Sequence, residues 1–103
     1  MDPAREAALR WAAHVREVRN SVCGALGSGE LGLAECLAMA DDPAAAEIQL
    51  GVLLDSLPRV RKVDARRALA ARGIEGRRAI GRLDDDTVTQ VLELAAELSG
   101  QVS

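Results

Sequence analysis

Apolar residues recur at three- and four-residue steps along most of the chain, a spacing typical of amphipathic helices. The first such segment begins after Asp2-Pro3, where an aspartate can cap a helix and a proline suits its first turn. Glycine and serine occupy most positions of residues 24–29 and predict the end of this helix. The pattern therefore predicts one long amphipathic first helix, whose apolar stripe is Ala8, Trp11, Val15, Val18 and Val22.

Two more helices are predicted before Pro58. One covers about 31–40, and its core face is expected to hold Leu33, Leu37 and Ala40, with Met39 near the end. The other repeats the Asp-Pro start at Asp42-Pro43 and stops before Pro58, because proline disfavours helical dihedrals in the residue that precedes it. Its predicted buried stripe is Ile48, Val52, Leu53 and Leu57.

The last third of the chain predicts two further helices. Asp64 is expected to cap a helix that runs through Arg72, and Gly73 suits a left-handed residue just after it. A short helical turn is expected over 75–80. The final helix is expected to open in the acidic run 84–86, to close at Gly100 and to leave 101–103 frayed. The predicted core positions of the two helices are Ala65, Ala68, Leu69, Val88, Val91, Leu92, Ala95 and Leu98.

Composition supports an all-helical fold. The 103 residues include one Trp and neither Phe nor Tyr, so the core must be built from Leu, Val, Ile and Ala, which favours packing of helix on helix. We expect an all-α single domain over 1–103, with a long N-terminal helix at 1–27 and a compact helical core at 28–100. The lack of Phe and Tyr also argues against binding of single strands by base stacking.

The charge is distributed unevenly along the chain. Residues 56–82 hold nine basic and two acidic side chains, a net charge of +7, whereas the rest of the chain has a net charge of −10. A solvated surface is the commoner explanation of a charge run. Unpaired like charges repel one another, however, so we favour phosphate binding. The basic residues are Arg59, Arg61, Lys62, Arg66, Arg67, Arg72, Arg77, Arg78 and Arg82.

The stretch from Leu57 to Leu69, LPRVRKVDARRAL, resembles the hairpin of helix-hairpin-helix and helix-two-turn-helix DNA-binding modules. Together with Leu53-Leu54-Asp55-Ser56, Arg72-Gly73-Ile74 and Arg77-Arg78 with Gly81, it resembles the actinobacterial integration host factor family. The resemblance covers about 48–98 and extends to the first helix only in length and position. It implies a nucleoid-associated protein that holds duplex phosphates with hairpin amides, a helix N-terminus and arginines, and that depends little on base sequence.

The chain departs from that family at several positions, which suggests a divergent paralogue with reduced affinity. The family usually has glycine where Arg61 stands, and often where Arg59 stands; we expect the loss at 61 to matter more. Either Arg61 obstructs the approach of a backbone amide to phosphate, or its guanidinium supplies the contact itself. Ile80 replaces the third arginine of the second basic motif, and Arg82 is expected to restore that charge.

These observations predict a DNA-binding architectural protein with double-stranded DNA as its partner. Arg72 is expected to complement the end of its own helix instead of binding DNA. The alternative is a regulatory or protein-interaction paralogue that binds DNA weakly and engages a partner through its first helix. The predicted DNA-binding residues are Arg59, Arg61, Lys62, Arg66, Arg77, Arg78 and Arg82.

Other chemistry is not expected. Cys23 and Cys36 lack the spacing of a zinc site and are expected to be reduced core residues. His14 has no oriented acid or ligand partner, so we expect no enzyme activity, metal, cofactor or small-molecule substrate. Trp11 is expected to pack on the core, whereas an exposed Trp11 would favour a partner site. No apolar run suits a signal peptide or membrane span, so a cytoplasmic, nucleoid location is expected.

Overall fold

The computed structural model describes residues 2–100, and within that range it is all-helical, as predicted. Short 3-10 turns connect the helices, and the extended structure is a single bridge between Gln49 and Ala79. The α-helices are α1 (Pro3–Ser28), α2 (Leu33–Ala38), α3 (Leu50–Asp55), α4 (Lys62–Ala71) and α5 (Asp85–Gly100). The 3-10 turns are Met39–Asp41, Ala45–Glu47 and Ile80–Arg82.

The predicted long first helix is confirmed, and so are its two ends. The Ala4 amide donates to Asp2 Oδ1 at 3.1 Å, so Asp2 is the N-cap and Pro3 opens the helix. Gly29 ends it with a φ of 86°, and its amide donates to the Leu26 carbonyl. Glycine adopts this left-handed conformation without strain.

The expectation that Trp11 packs on the core is wrong, because only the end of α1 is buried. Val22 and Leu26 lie in the core, but Ala8 is exposed, Val15 is half-buried and Trp11 is 44% exposed. A helix of 26 residues is about 39 Å long, more than the remaining short helices can cover. The apolar stripe therefore continues beyond the core, with the Trp11 ring 5.9 Å from that of the exposed His14.

The prediction of one continuous helix from Pro43 to Leu57 is also wrong. Asp42 does cap a turn, because its Oδ2 accepts from the Ala45 amide at 2.9 Å, but that turn ends at Glu47. Ile48 and Gln49 are extended, with ψ of 129° and 139°, and α3 begins only at Leu50. The cause is long-range pairing of this backbone with 76–80, which intrahelical hydrogen bonds would not allow.

The core is built from buried side chains of all five helices, joined by Ala45, Ile48 and Ile80 from the segments between them. Leu53 was expected there, whereas Leu50, Leu54 and Leu94 are equally buried positions that the predicted stripes omitted. The other predicted core residues are mostly confirmed. Leu33, Leu37, Ile48, Ala65, Leu69, Val91, Ala95 and Leu98 are buried, whereas Ala40, Val52, Leu57, Ala68, Val88 and Leu92 are only half-buried.

The acidic run at 84–86 begins α5, as predicted. The Thr87 amide donates to Asp84 Oδ1 at 2.7 Å, which makes Asp84 the cap before Asp85 opens the helix. The pKa of Asp84 is lowered, chiefly by hydrogen bonds from Thr87, and the positive charge of Arg78 adds to the effect. The helix is described through Gly100, and the expected fraying of 101–103 lies outside the described residues.

The two cysteines differ in their surroundings. Cys36 is fully buried, and this burial raises the pKa of its thiol, with further contributions from Cys23 and Glu35. Cys23 is only half-buried, packed against the core. Both are free thiols, and Cys36 is a core residue as expected, whereas Cys23 lies at the margin.

Within the described part of the chain, no helix combines the length and the apolar character needed to cross a membrane.

Candidate nucleic-acid interface

The hairpin between α3 and α4 holds the first group of predicted contact residues. Val60 is half-buried against the core, so it anchors the turn, while Arg59 and Arg61 on either side of it are exposed. The two arginines differ in backbone conformation. Arg59 has a φ of 67°, in the left-handed region, whereas Arg61 is extended at φ −81° and ψ 142°. The conformational cost of a side chain in this hairpin therefore falls on Arg59, whereas the effect of Arg61 on the approach of an amide to phosphate stays a prediction.

The left-handed conformation of Arg59 makes its replacement by glycine a stabilising change. We expect Arg59→Gly to raise the free energy of unfolding by about 1 kcal/mol, because glycine adopts this conformation without the steric cost that a side chain brings. Chemical denaturation of the purified protein measures it. Arg61→Gly is the matched control, because it removes the same side chain at an extended residue and is expected to destabilise or leave stability unchanged. Equal effects of both substitutions would contradict this explanation.

The start of α4 is open to an anionic ligand. Asp64 was predicted to cap this helix, but it is the third residue inside it, and the cap position belongs to Arg61, whose side chain makes no capping hydrogen bond. Asp2 and Asp84 cap α1 and α5 with their carboxylates. The first amides of α4 have no carbonyl within the helix to receive their hydrogen bonds. This positive helix end is suited to a phosphate.

The side chains around this helix start are exposed, and two of them are paired with carboxylates. Arg61 Nε donates to Asp64 Oδ2 at 3.2 Å, which offsets part of the positive charge of the hairpin. Arg66 Nη2 donates to Asp55 Oδ2 at 3.3 Å. The Arg66 side chain is nevertheless 72% exposed, so the Asp55 contact holds one edge of its guanidinium while other donors face solvent. Lys62 lies one turn before Arg66, on the same side of α4.

The second basic motif is fixed against α3 by backbone hydrogen bonds. The Gly51 amide donates to the Gly76 carbonyl at 2.8 Å, and the Leu50 amide donates to the Arg78 carbonyl at 2.9 Å. The Ile80 amide donates to the Ile48 carbonyl at 2.8 Å. A side chain at residue 51 would meet the Gly76 carbonyl at 3.1 Å, so glycine allows this close approach. The motif therefore has a defined position relative to the hairpin.

Two adjoining grooves bring the basic residues of both motifs together. Arg66 and Arg77 line one groove, along the side of α4. Arg77 also lines the second groove, where it is joined by Arg78 and Arg82. Four of the seven predicted contact residues thus border one continuous surface. The other three, Arg59, Arg61 and Lys62, lie at the hairpin and the first residue of α4.

Acidic side chains moderate the charge of these grooves. Asp55 lies in the first groove, and Glu47 and Glu75 lie in the second. Asp84 adds a negative charge close enough to Arg78 to help lower the carboxyl pKa. The two grooves are therefore lined by four arginines and three carboxylates, and Asp84 beside Arg78 offsets a further positive charge.

Arg72 does not face the grooves. It is the residue after α4, which was predicted to run through it. Its guanidinium reaches α5, and not the end of its own helix as expected, and pairs there with Glu93 at 3.4 Å and with Glu97 at 3.2 Å. Its side chain is 26% exposed. Arg72 thus links α4 to α5.

Gly51 and Gly76 were not among the residues predicted from the sequence, and Gly81 was identified only as part of the second basic motif. Gly81 lies so close to Ala46 that an added Cβ would approach the Ala46 Cβ to 2.6 Å. Isolated glycines within an apolar helical pattern, such as Gly51, are the sequence signal for close backbone approach. That signal indicates a tight contact but not its partner, because residues 76 and 81 are far from 51 and 46 along the chain.

The comparisons with known proteins identify one informative similarity. A solved structure of sIHF, an integration host factor, bound to an 8-bp palindromic DNA matches the fold with a TM-score of 0.70. The aligned residues are 27% identical, and the alignment covers 84% of this chain and 96% of that chain. The scan against protein-family models and the search of curated proteins gave no match. The fold is therefore like that of an integration host factor.

Proposed function

We propose that the chain is a DNA-binding, nucleoid-associated architectural protein that contacts the backbone of duplex DNA with little sequence specificity. The observation that carries the proposal is the likeness of the fold to a solved structure bound to DNA, and the arginine-lined grooves beside α4 support it. We further propose that residues 1–103 act as one domain, and that the chain is a divergent member of the actinobacterial family that its motifs resemble.

The proposed mechanism is neutralisation of phosphates by two groups of cations at a fixed separation. The first amides of α4, with Arg61 and Lys62 beside them, hold one phosphate, while Arg77 and Arg78 hold others across the groove. Each neutralised phosphate releases counterions from the duplex, so affinity falls as salt rises. Neither the amides nor arginines on phosphates distinguish one base pair from another, which gives the low specificity.

A duplex-binding titration at several salt concentrations tests this function. We expect log K to fall linearly with log salt, and unrelated duplexes to compete almost equally. Arg61→Ala should reduce the magnitude of the salt slope by about 1, the amount for one lost phosphate contact. Arg61 is exposed and its backbone is extended, so the substitution removes charge without disturbing the turn.

Two outcomes would count against parts of this proposal. A salt-independent affinity, or a strong preference for one duplex, would contradict backbone binding and indicate that an arginine reads base edges. Arg61→Gly separates the two roles considered for this residue. Tighter binding by that variant would mean that the side chain obstructs an amide, whereas weaker binding supports direct contact with phosphate.

A protein-interaction function is the second candidate, and the exposed first half of α1 favours it. Trp11 and Leu9 are 44% and 59% exposed and lie on the part of the helix that extends beyond the core. Exposed aromatic residues are enriched at protein interfaces. The same titration discriminates, because a partner-binding paralogue would show weak duplex affinity that is indifferent to substitution of the groove arginines.

A further inference from the structure

Val63 is an exposed aliphatic side chain within the basic segment. It is the second residue of α4, and 57% of it is exposed. The other large exposed apolar side chains of the described residues, Leu9 and Trp11, lie on α1. A single exposed valine is common on protein surfaces, so its meaning depends on its neighbours.

Most of those neighbours are cationic, and the acidic one, Asp64, is paired with Arg61. Arg66 and Arg67 follow Val63 by three and four residues, so both adjoin it on the surface of α4. Lys62 precedes it, and both arginines are exposed. The opposite face of the helix is the one that packs on the core, through Ala65 and Leu69. An aliphatic spot bordered by three cations thus points outward beside the uncapped start of α4.

We propose that Val63 contacts a deoxyribose of the duplex backbone, between phosphates held by the surrounding cations, and supplies a salt-independent part of the affinity. The inference rests on the proposed function and identifies a sugar as the group that this part of α4 meets. A backbone strand alternates charged phosphates with sugars whose C–H faces are apolar, so the alternation of cationic and aliphatic side chains is complementary to it.

The physical basis is removal of apolar surface from water. Contact between the valine methyl groups and a sugar releases water from both, and this contribution does not involve counterions. Val has one strongly preferred χ1 rotamer in a helix, so ordering it on binding has a small entropic cost. Because every nucleotide carries the same sugar, the contribution should be independent of base sequence.

The test compares Val63→Thr with Val63→Ile. Both replacements are β-branched and keep the shape near the backbone, but only isoleucine keeps an aliphatic surface. We expect Val63→Thr to raise Kd roughly fivefold at every salt concentration, giving a line of log K against log salt that is parallel to wild type. Val63→Ile should bind within about twofold of wild type. The effect of threonine should be equal on A·T-rich and G·C-rich duplexes.

Each contrary result has a definite meaning. Equal or tighter binding by Val63→Thr, or equal weakening by Val63→Ile, would overturn the inference and leave the proposed function standing. An effect confined to A·T-rich duplexes would overturn the assignment to sugar and indicate contact with a thymine methyl group. A wild-type protein without salt-dependent duplex affinity would instead overturn the proposed function. Circular dichroism and thermal unfolding of each variant verify that α4 is intact.

Discussion

The Arg77→Ala/Arg78→Ala double variant is expected to bind duplex DNA about 100-fold more weakly than wild type at low salt, with a salt slope smaller in magnitude by about 2. Each guanidinium is proposed to hold a phosphate by a charge-assisted hydrogen bond, and the loss of one such contact corresponds to about tenfold in affinity. Both side chains are exposed, and Arg78 stabilises the fold through its carbonyl, which alanine retains. The loss should therefore appear in binding and not in folding.

Arg72→Gln is the matched control for this variant. It removes a positive charge from the same basic segment, but from a side chain that is paired with Glu93 and Glu97 on α5. We expect its salt slope to equal that of wild type, with a fall in stability of at most about 1 kcal/mol, since ion pairs of this kind contribute little. If the double variant kept the wild-type slope, or Arg72→Gln lost as much, the grooves would not be the binding surface.

Local signals in the sequence predicted the parts of the fold that local interactions determine. The Asp-Pro start and the glycine end of α1 involve hydrogen bonds between residues two or three positions apart. The acidic start of α5 is equally local. The number of α-helices was therefore predictable. Their ends were nearly predictable where the capping hydrogen bonds join residues close in sequence.

Interactions between distant residues explain the errors. The helix predicted from Pro43 is interrupted because Ile48 and Leu50 pair with the backbone of 78–80, about thirty residues later. Helical periodicity cannot reveal such pairing, because Ile48 and Leu53 are both buried although no continuous helix joins them. Trp11 was misplaced for a related reason: a stripe of apolar residues shows which face of a helix is apolar, and not how much of that face the rest of the chain can cover.

The candidate interface also combines features that the sequence shows with features that depend on the fold. The concentration of arginines in 56–82 is a property of the sequence, and the resemblance to hairpin modules drew attention to Arg61. The backbone then places the unusual conformation at Arg59. Pairing of Arg66 with Asp55, eleven residues apart, and of Arg72 with α5 depends on tertiary packing. Sequence could thus identify the cations, whereas only the fold shows which of them border one surface.

Gly81→Ala is expected to lower the free energy of unfolding by about 2–3 kcal/mol, as overpacking of a tight contact does. The new Cβ would lie 2.6 Å from the Ala46 Cβ and 3.2 Å from the Ala46 carbonyl oxygen. Neither atom belongs to a flexible side chain, so the two 3-10 turns that meet here must separate. Gly81 lies between Ile80, which is buried, and Arg82, so the shift should also displace part of the second groove and weaken duplex binding.

Gly24→Ala provides the control, because it makes the same chemical change in open space. No heavy atom lies within 4 Å of the added Cβ, and the residue is in the interior of α1, where alanine is favoured over glycine by roughly 0.5–1 kcal/mol. The two variants should therefore shift the midpoint of urea unfolding in opposite directions, Gly81→Ala downward and Gly24→Ala upward. If Gly81→Ala had the same urea midpoint as wild type, the turns at 45–47 and 80–82 would not pack closely. The second motif would then lack the fixed position relative to the hairpin that binding through both groups of cations requires.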